Sequence, residues 1–213
     1  MRPELIIWDF NGTIIDDLAL SLEAINTVLK KRNLPLIESE DAYRKAFGFP
    51  IIKYYESLGM DFSREPYKKP ADEWVKLYNK GADRISLTLG ILDVLHKISE
   101  MSIPQMILSA SETETLIRQL EIYNISSYFD KIIGCDNVYG GGKTEVAKKW
   151  ATETDISLEN ALYIGDTDHD YETSIVLGCS CILYSGGHMS KERLEKTGAP
   201  VIDRITDILQ YMN

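Results

Sequence analysis

Short apolar runs separated by helical patterns limit this chain to very few architectures. The runs fall at 4–9 ("ELIIWD"), 103–109 ("IPQMILS"), 131–134 ("KIIG"), 161–165 ("ALYIG") and 179–184 ("CSCILY"), with a shorter one at 200–203. They are continuous rather than alternating, the pattern of strands covered on both faces. Helical periodicity fills the gaps, at 88–100, 111–123, 143–152, 168–177 and 204–212. In the first of these, Leu92, Leu95 and Ile98 are expected to share one buried side. Strand–helix alternation with apolar strands predicts an α/β fold, a doubly wound, mostly parallel, Rossmann-like sheet with helices on both faces.

Residues 16–86 break that rhythm. No convincing strand is legible there. Residues 18–31 form an amphipathic helix, and further helical stretches lie near 38–47, 50–59 and 66–85. A connection of this length between neighbouring strands is far beyond the usual few residues. It is expected to be a small α-helical cap (16–86) inserted into a core made of 1–15 and 87–213. Such a cap would sit over the carboxyl end of the first strand, where open α/β sheets place ligands.

Composition narrows the partners. The formal net charge of −10 argues against nucleic acid, whose backbone calls for a basic surface. No stretch is long and apolar enough to span a membrane, and "MRPELIIW" makes a poor signal peptide. A cytoplasmic location is the default expectation. Cys135, Cys179 and Cys181 lack metal-ligand spacing and are expected to pack in the core.

Polar residues fall where the strands end. Asp9 closes the first run and Ser109 the second. Lys143 follows the third after Gly140, Gly141 and Gly142, and Asp166 closes the fourth within "GDTDHD". Parallel neighbouring strands would bring all four into one crevice. A fixed carboxylate is an oriented nucleophile. Asp9, Asp166 and Asp170 together make a hard, oxygen-rich set that suits Mg²⁺, and no His or Cys pair accompanies them to favour zinc. A serine hydroxyl and a lysine ammonium are natural partners for the oxygens of a transferring phosphoryl group. The turn at Gly12 and Thr13 could add backbone N–H donors.

On these residues the chain resembles the haloacid dehalogenase-like hydrolase superfamily, in its phosphoglycolate-phosphatase-like branch. The motifs that carry the resemblance are "DFNGTIIDD" from Asp9, "ILSAS" around Ser109 and Ala110, "GGGKTE" at Lys143, and "IGDTDHDYETSIVLG" with Asp166 and Asp170. They occur in the family's order and span nearly the whole chain. The resemblance implies that Asp9 forms an aspartyl-phosphate. It implies that Mg²⁺ is held by Asp9, the backbone carbonyl of Asn11 and Asp166, with Asp170 directly or through water. Lys143 would pair with Asp9, and Ser109 would donate to the phosphoryl group. Gly12, Thr13 and Ala110 would contact substrate, a small phosphorylated metabolite. In the cap, Arg44 and Lys45 of "RKAFGFP" are candidates for an anionic tail, or they are solvated.

One residue departs from the pattern. Most phosphatases of the family carry a second Asp two positions after the nucleophile, and here that position is Asn11. An amide has no usable pKa for proton transfer, a step that contributes ~10²–10⁴-fold. Three readings follow: a phosphatase with slow or water-assisted turnover, suited to a leaving group that needs little protonation; related chemistry without the second acid; or a replacement that traps a complex. Phosphonate cleavage of the phosphonoacetaldehyde type is the chemical rival. It would need a Schiff-base lysine in the cap, where Lys30, Lys31, Lys45 and Lys53 are available. A catalytically weak phosphate-binding or regulatory protein is the rival from another class. His169 and His188 are further candidates, as a proton relay and a site-rim residue, or else as residues of a helix start and a loop. Trp74 and Tyr54 are expected to pack the cap. Monomer and homodimer both remain open.

Overall fold

The computed structural model describes residues 2–135, 143–154 and 156–212. The chain opens with β1 (Leu5–Trp8) and a short β2 (Ile15–Asp16). It then runs through α1 (Leu18–Lys30), α2 (Glu40–Ala46), α3 (Ile51–Ser57) and α4 (Lys68–Gly81) before returning in β3 (Ser86–Leu87). The rest alternates: α5 (Ile91–Glu100), β4 (Gln105–Glu112), α6 (Thr113–Ile122), β5 (Lys131–Cys135), α7 (Lys143–Glu153), β6 (Ala161–Gly165), α8 (Asp168–Leu177), β7 (Ser180–Tyr184), α9 (Lys191–Glu195) and β8 (Val201–Ile202). Ile205–Tyr211 form a closing 3₁₀ turn where the sequence suggests an ordinary helix.

Six strands make one parallel sheet in the order β5-β4-β1-β6-β7-β8. This is the expected doubly wound, Rossmann-like architecture with an inserted helical cap. Successive residues of β1 face opposite sides. Ile6 and Trp8 pack against α5 and α6 through Val94, Leu95, Leu116 and Leu120. Leu5 and Ile7 pack against α7 and α8 through Ala147, Trp150 and Leu177. Both faces are dry, so both strand parities are apolar, which is why the sequence shows runs instead of alternation.

Two local expectations are revised. The segment around 16–86 does contain strand: β2 and β3 pair antiparallel, Ile15 with Leu87 and Asp16 with Ser86. Two residues are too few for a period of two to register. In α5 the buried face is Ile91, Val94, Leu95 and Ile98, while Leu92 is 46 % exposed. The helix begins at Ile91, and spacing of three and four from that start excludes Leu92.

The helices α1–α4 build a separate apolar cluster around Ile25, Val28, Leu29, Tyr43, Tyr54 and Tyr55. It lies over the carboxyl end of the sheet, since side chains of α2–α4 and of the ends of β1, β4 and β6 line one cavity. No helix of the described residues is long and apolar enough to cross a membrane.

Candidate active site

Asp9 leaves the end of β1 with its backbone N–H bonded to the Ile164 carbonyl of β6 at 2.8 Å, so the sheet itself orients the carboxylate. Ser109 lies inside β4, where regular pairing with β5 stops at Leu108 and resumes at Glu112. That irregularity belongs to a strand end re-aimed towards a cavity. Ser109, Ala110 and Ser111 all line the cavity. Lys143 begins α7, with its side chain 3 % exposed. Its ammonium bonds both Asp9 Oδ1 and Asp170 Oδ1. The triplet Gly140, Gly141 and Gly142 before it lies outside the described residues.

Asp166 ends β6, and Asp170 follows in the first turn of α8. Asp170 is the acid of a capping box. Its Oδ2 accepts from Asp166 N at 3.1 Å, Thr167 N at 2.9 Å and Thr167 Oγ1 at 2.7 Å, while Oδ1 takes Lys143 and the Tyr163 hydroxyl. Asp170 is therefore built to hold Lys143 in place. Removing the cap hydroxyl with Thr167→Ala is expected to cost about 0.5–2 kcal/mol of stability in a denaturant titration.

Gly12 has φ +73, and a Cβ there would collide with the Asp166 carboxylate and the His188 ring. Only glycine permits this approach. The Gly12 N–H donates to Asp17 Oδ1 at 2.9 Å, and the Thr13 hydroxyl donates to Asp166 Oδ1 at 3.2 Å. Both residues thus position acids, and neither lines the cavity. Nor do the two cap cations. Arg44 donates to the carbonyls of Gly187 and Gly186, and Lys45 is exposed. Lys30, Lys31 and Lys53 are exposed as well, and among the described residues Lys143 is the one lysine that lines the cavity.

Asn11 is fully committed. Its Nδ2 donates to Asp17 Oδ2 and to the Tyr78 hydroxyl, each at 2.9 Å, and its Oδ1 accepts from Ser111 Oγ at 2.6 Å. Asp17, Tyr78, Ser111 and His188 are the site residues that the linear reading passed over or placed at the rim. Asp17 stands at the start of α1, where an acid ordinarily caps, yet its side chain makes no cap bond. It turns instead to Asn11, Gly12, Tyr78 and His188 Nε2, the last at 3.0 Å. His188 Nδ1 lies 3.2 Å from the Tyr43 hydroxyl, and His188 N donates to Asp166 Oδ2 at 2.6 Å. His169 is half-buried, stacked on Phe49 at 4.6 Å and 3.2 Å from Thr144 Oγ1, and it does not line the cavity.

The electrostatics follow from burial. Desolvation pushes the Asp9 carboxyl well above the usual range, Lys143 opposes it, and Asp170 and Asp166 reinforce it. Burial raises Asp166 to about 6, with His188 pulling down and Asp170 pushing up. Burial works against the charge on Lys143, but Asp170 and Asp9 outweigh it and raise its pKa well above the lysine range. Burial also opposes the His188 charge, yet Asp17 raises it to about 9. Desolvation of Asp17 is in turn overcome by His188, which lowers its pKa. Two positively charged groups (Lys143, His188) and four carboxylates (Asp9, Asp17, Asp166, Asp170) are the buried Lys, Arg, His, Asp and Glu of the described residues. Fully ionised, the cluster would carry two excess negative charges, the charge of one divalent cation.

The donor set fits such a cation. Asp9, Asp166 and Asp170 each offer an oxygen, all within 4.8 Å of one another. An all-oxygen set of buried carboxylates suits Mg²⁺ better than Zn²⁺. This gives a pH-dependent expectation. Asp166 binds its proton more tightly folded than unfolded, so its contribution to the stability of the metal-free protein falls as pH rises from about 4 through about 6, and Asp9 acts in the same direction. The His188 contribution is complete below its ordinary 6.5 and is lost as pH rises through about 9. Magnesium competes with protons for the acids, so it should raise the melting temperature more at pH 7.5 than at pH 5. An equal shift at both pH values would contradict the assignment.

Comparison with known proteins agrees with this geometry. A family model described as "Haloacid dehalogenase-like hydrolase" matches residues 6–184. The chain is 29 % identical to a phosphoglycolate phosphatase of Aquifex aeolicus over 87 % of this chain and 86 % of that protein. It is 21 % identical to the tyrosine-protein kinase PtkA of Mycobacterium tuberculosis over 97 % of this chain and 70 % of that protein. In three dimensions it is similar to a haloacid dehalogenase-like family hydrolase from Streptococcus pneumoniae, with a TM-score of 0.83, 20 % identity and 99 % of both chains covered.

Proposed function

The chain belongs to the haloacid dehalogenase-like hydrolase family, and we propose that it hydrolyses a small phosphate monoester with Mg²⁺ through an aspartyl-phosphate. The observation that carries this reading is the buried contact of Asp9 with Lys143 beside Asp166 and Asp170, at the open end of the sheet. Asp9 attacks phosphorus in line. The P–O bond to the leaving group breaks, and its electron pair departs on the ester oxygen. Water then cleaves the acyl phosphate, releasing phosphate and restoring Asp9. Lys143 holds the carboxylate in the attacking orientation and meets charge on the phosphoryl oxygens. The Ser109 hydroxyl donates to those same oxygens. Asp9, the backbone carbonyl of Asn11 and Asp166 would hold the metal, with Asp170 acting through Lys143 and water. Bound there, Mg²⁺ supplies charge stabilisation for the transferring group.

Two observations set limits on this chemistry. Asn11 cannot transfer a proton, and its three hydrogen bonds leave it no freedom to turn away. The phosphonate route lacks its amine, because no cap lysine among the described residues lines the cavity. The deciding experiment follows phosphate release from a panel of monoesters with Mg²⁺ and with a chelator. Metal-dependent release is the expected result. A panel with no turnover beyond that of the Asp9→Asn protein would overturn the reading in favour of a binding protein.

A further inference from the structure

The cavity above Asp9 has two unlike ends. One holds the acids, Lys143 and Ser109. Eight of the lining side chains are aromatic, all from the cap, joined by Ile51, Ala71 and Val75; of the eight, Tyr43 and Tyr78 reach His188 and Asp17 at the acid end. The two basic residues in the lining, Lys143 and His188, both already face carboxylates. A substrate with a second anionic group would find no cation here among the described residues. The whole cavity, acid end included, measures about 190 Å³, somewhat more than the ~150 Å³ apolar space that accepts benzene. Trp74 and Tyr78, both in the lining, stack on one another at 4.9 Å. Tyr54 also lines the cavity, and its buried hydroxyl has no hydrogen-bond partner among the described residues.

We propose that the substrate is an aryl phosphate monoester, its phosphoryl group at Asp9 and its aromatic ring in the cap cavity. A polar substituent on the ring would satisfy the Tyr54 hydroxyl, since a buried unpaired hydroxyl is costly. This inference rests on the phosphatase reading above and adds the class of leaving group. The locked amide of Asn11 supports it independently. With no acid beside the ester oxygen, the leaving group must depart with little protonation. Phenols ionise near pH ~10, whereas water, with an ionisation like that of simple alcohols, needs ~15.7. When Asp9 attacks, the phenolic P–O bond breaks, the oxygen leaves as phenolate, and solvent supplies its proton. Water then hydrolyses the acyl phosphate.

The test separates ring recognition from leaving-group reactivity and both from the phosphatase reading. Phenyl phosphate is compared with 2,2,2-trifluoroethyl phosphate, an activated ester without a ring, and with 2-phosphoglycolate, all with Mg²⁺. The value of kcat/KM is expected to be at least about tenfold higher for phenyl phosphate. By calorimetry with Mg²⁺, phenylphosphonate should bind about tenfold more tightly than methylphosphonate. That ratio should shrink in Trp74→Ala and, should that protein fold poorly, in Phe49→Leu. Equal affinities for the two phosphonates overturn the aromatic site. Asp9-dependent turnover that favours the aliphatic esters overturns the aryl substrate and leaves the phosphatase reading standing. Loss of all Asp9-dependent turnover overturns the phosphatase reading and the aryl ester with it.

Discussion

Asn11→Asp alone is expected to destabilise the protein by about 3 kcal/mol, the low end for an unpaired buried charge because position 11 is half-buried. The amide now donates to Asp17 Oδ2 at 2.9 Å. A carboxylate in its place would set two like charges at that separation, so only one of the two could ionise and they would share a proton. The single change should fail as a repair of the missing acid, because a carboxylate already occupies the adjoining space. The paired change Asn11→Asp with Asp17→Asn moves the acid to a half-buried position and adds no carboxylate to the cluster. At position 17 the amide oxygen still accepts from Gly12 N and His188, as Oδ1 does now, and its NH₂ replaces Oδ2 opposite position 11. Stability should return to within about 1–2 kcal/mol of the parent. Turnover of aliphatic esters should rise by about 10²–10⁴-fold, the usual worth of a general acid–base. Chemical denaturation and kcat with ethyl phosphate, an aliphatic ester with no second anionic group, read the two effects separately. A single variant as stable as the parent would show that Asn11 does not face Asp17.

The second large effect is at Asp9. Asp9→Asn should lower kcat by about 10⁴-fold or more, since it removes the nucleophile itself. The same change should leave the metal-free protein at least as stable as the parent. Burial and the neighbouring acids hold the Asp9 carboxyl well above its ordinary pKa, so its charge is a burden until something neutralises it. Activity that falls while stability holds or rises is the signature of a strained functional group. The melting shift on adding magnesium should also shrink. Turnover within tenfold of the parent would mean that Asp9 is not the attacking group.

Particular elements show how far the linear sequence reaches. The bounds of α8 are legible to the residue, because "GDTDHD" supplies a capping box and a glycine follows Leu177. Asp9, Ser109 and Asp166 stand out because each falls at the end of an apolar run, and Lys143 because it follows the third run after a glycine triplet. Asp17 is hidden by its position. An acid just before a helix reads as a cap, and nothing local says that its side chain turns back to Asn11 and His188. His188 lies 171 residues from Asp17, in a loop after β7 with no periodicity to mark it. The aromatic residues of the cap are ambiguous for a different reason. Spacing on a helix says that a ring is buried, but not whether it meets another ring or an open cavity.

The order of apolar runs and helical patterns was sufficient for the α/β layering, the inserted helices and the gathering of Asp9, Lys143, Asp166 and Asp170 in one place. Each of these is set by local periodicity or by the end of a strand. Which charges neutralise one another, why position 11 tolerates only a donor towards Asp17, and what kind of group the cap encloses were decided by tertiary structure alone. Those properties belong to side chains brought together across up to 171 residues of chain, and a buried charge takes its energy from whatever then lies within a few ångströms of it.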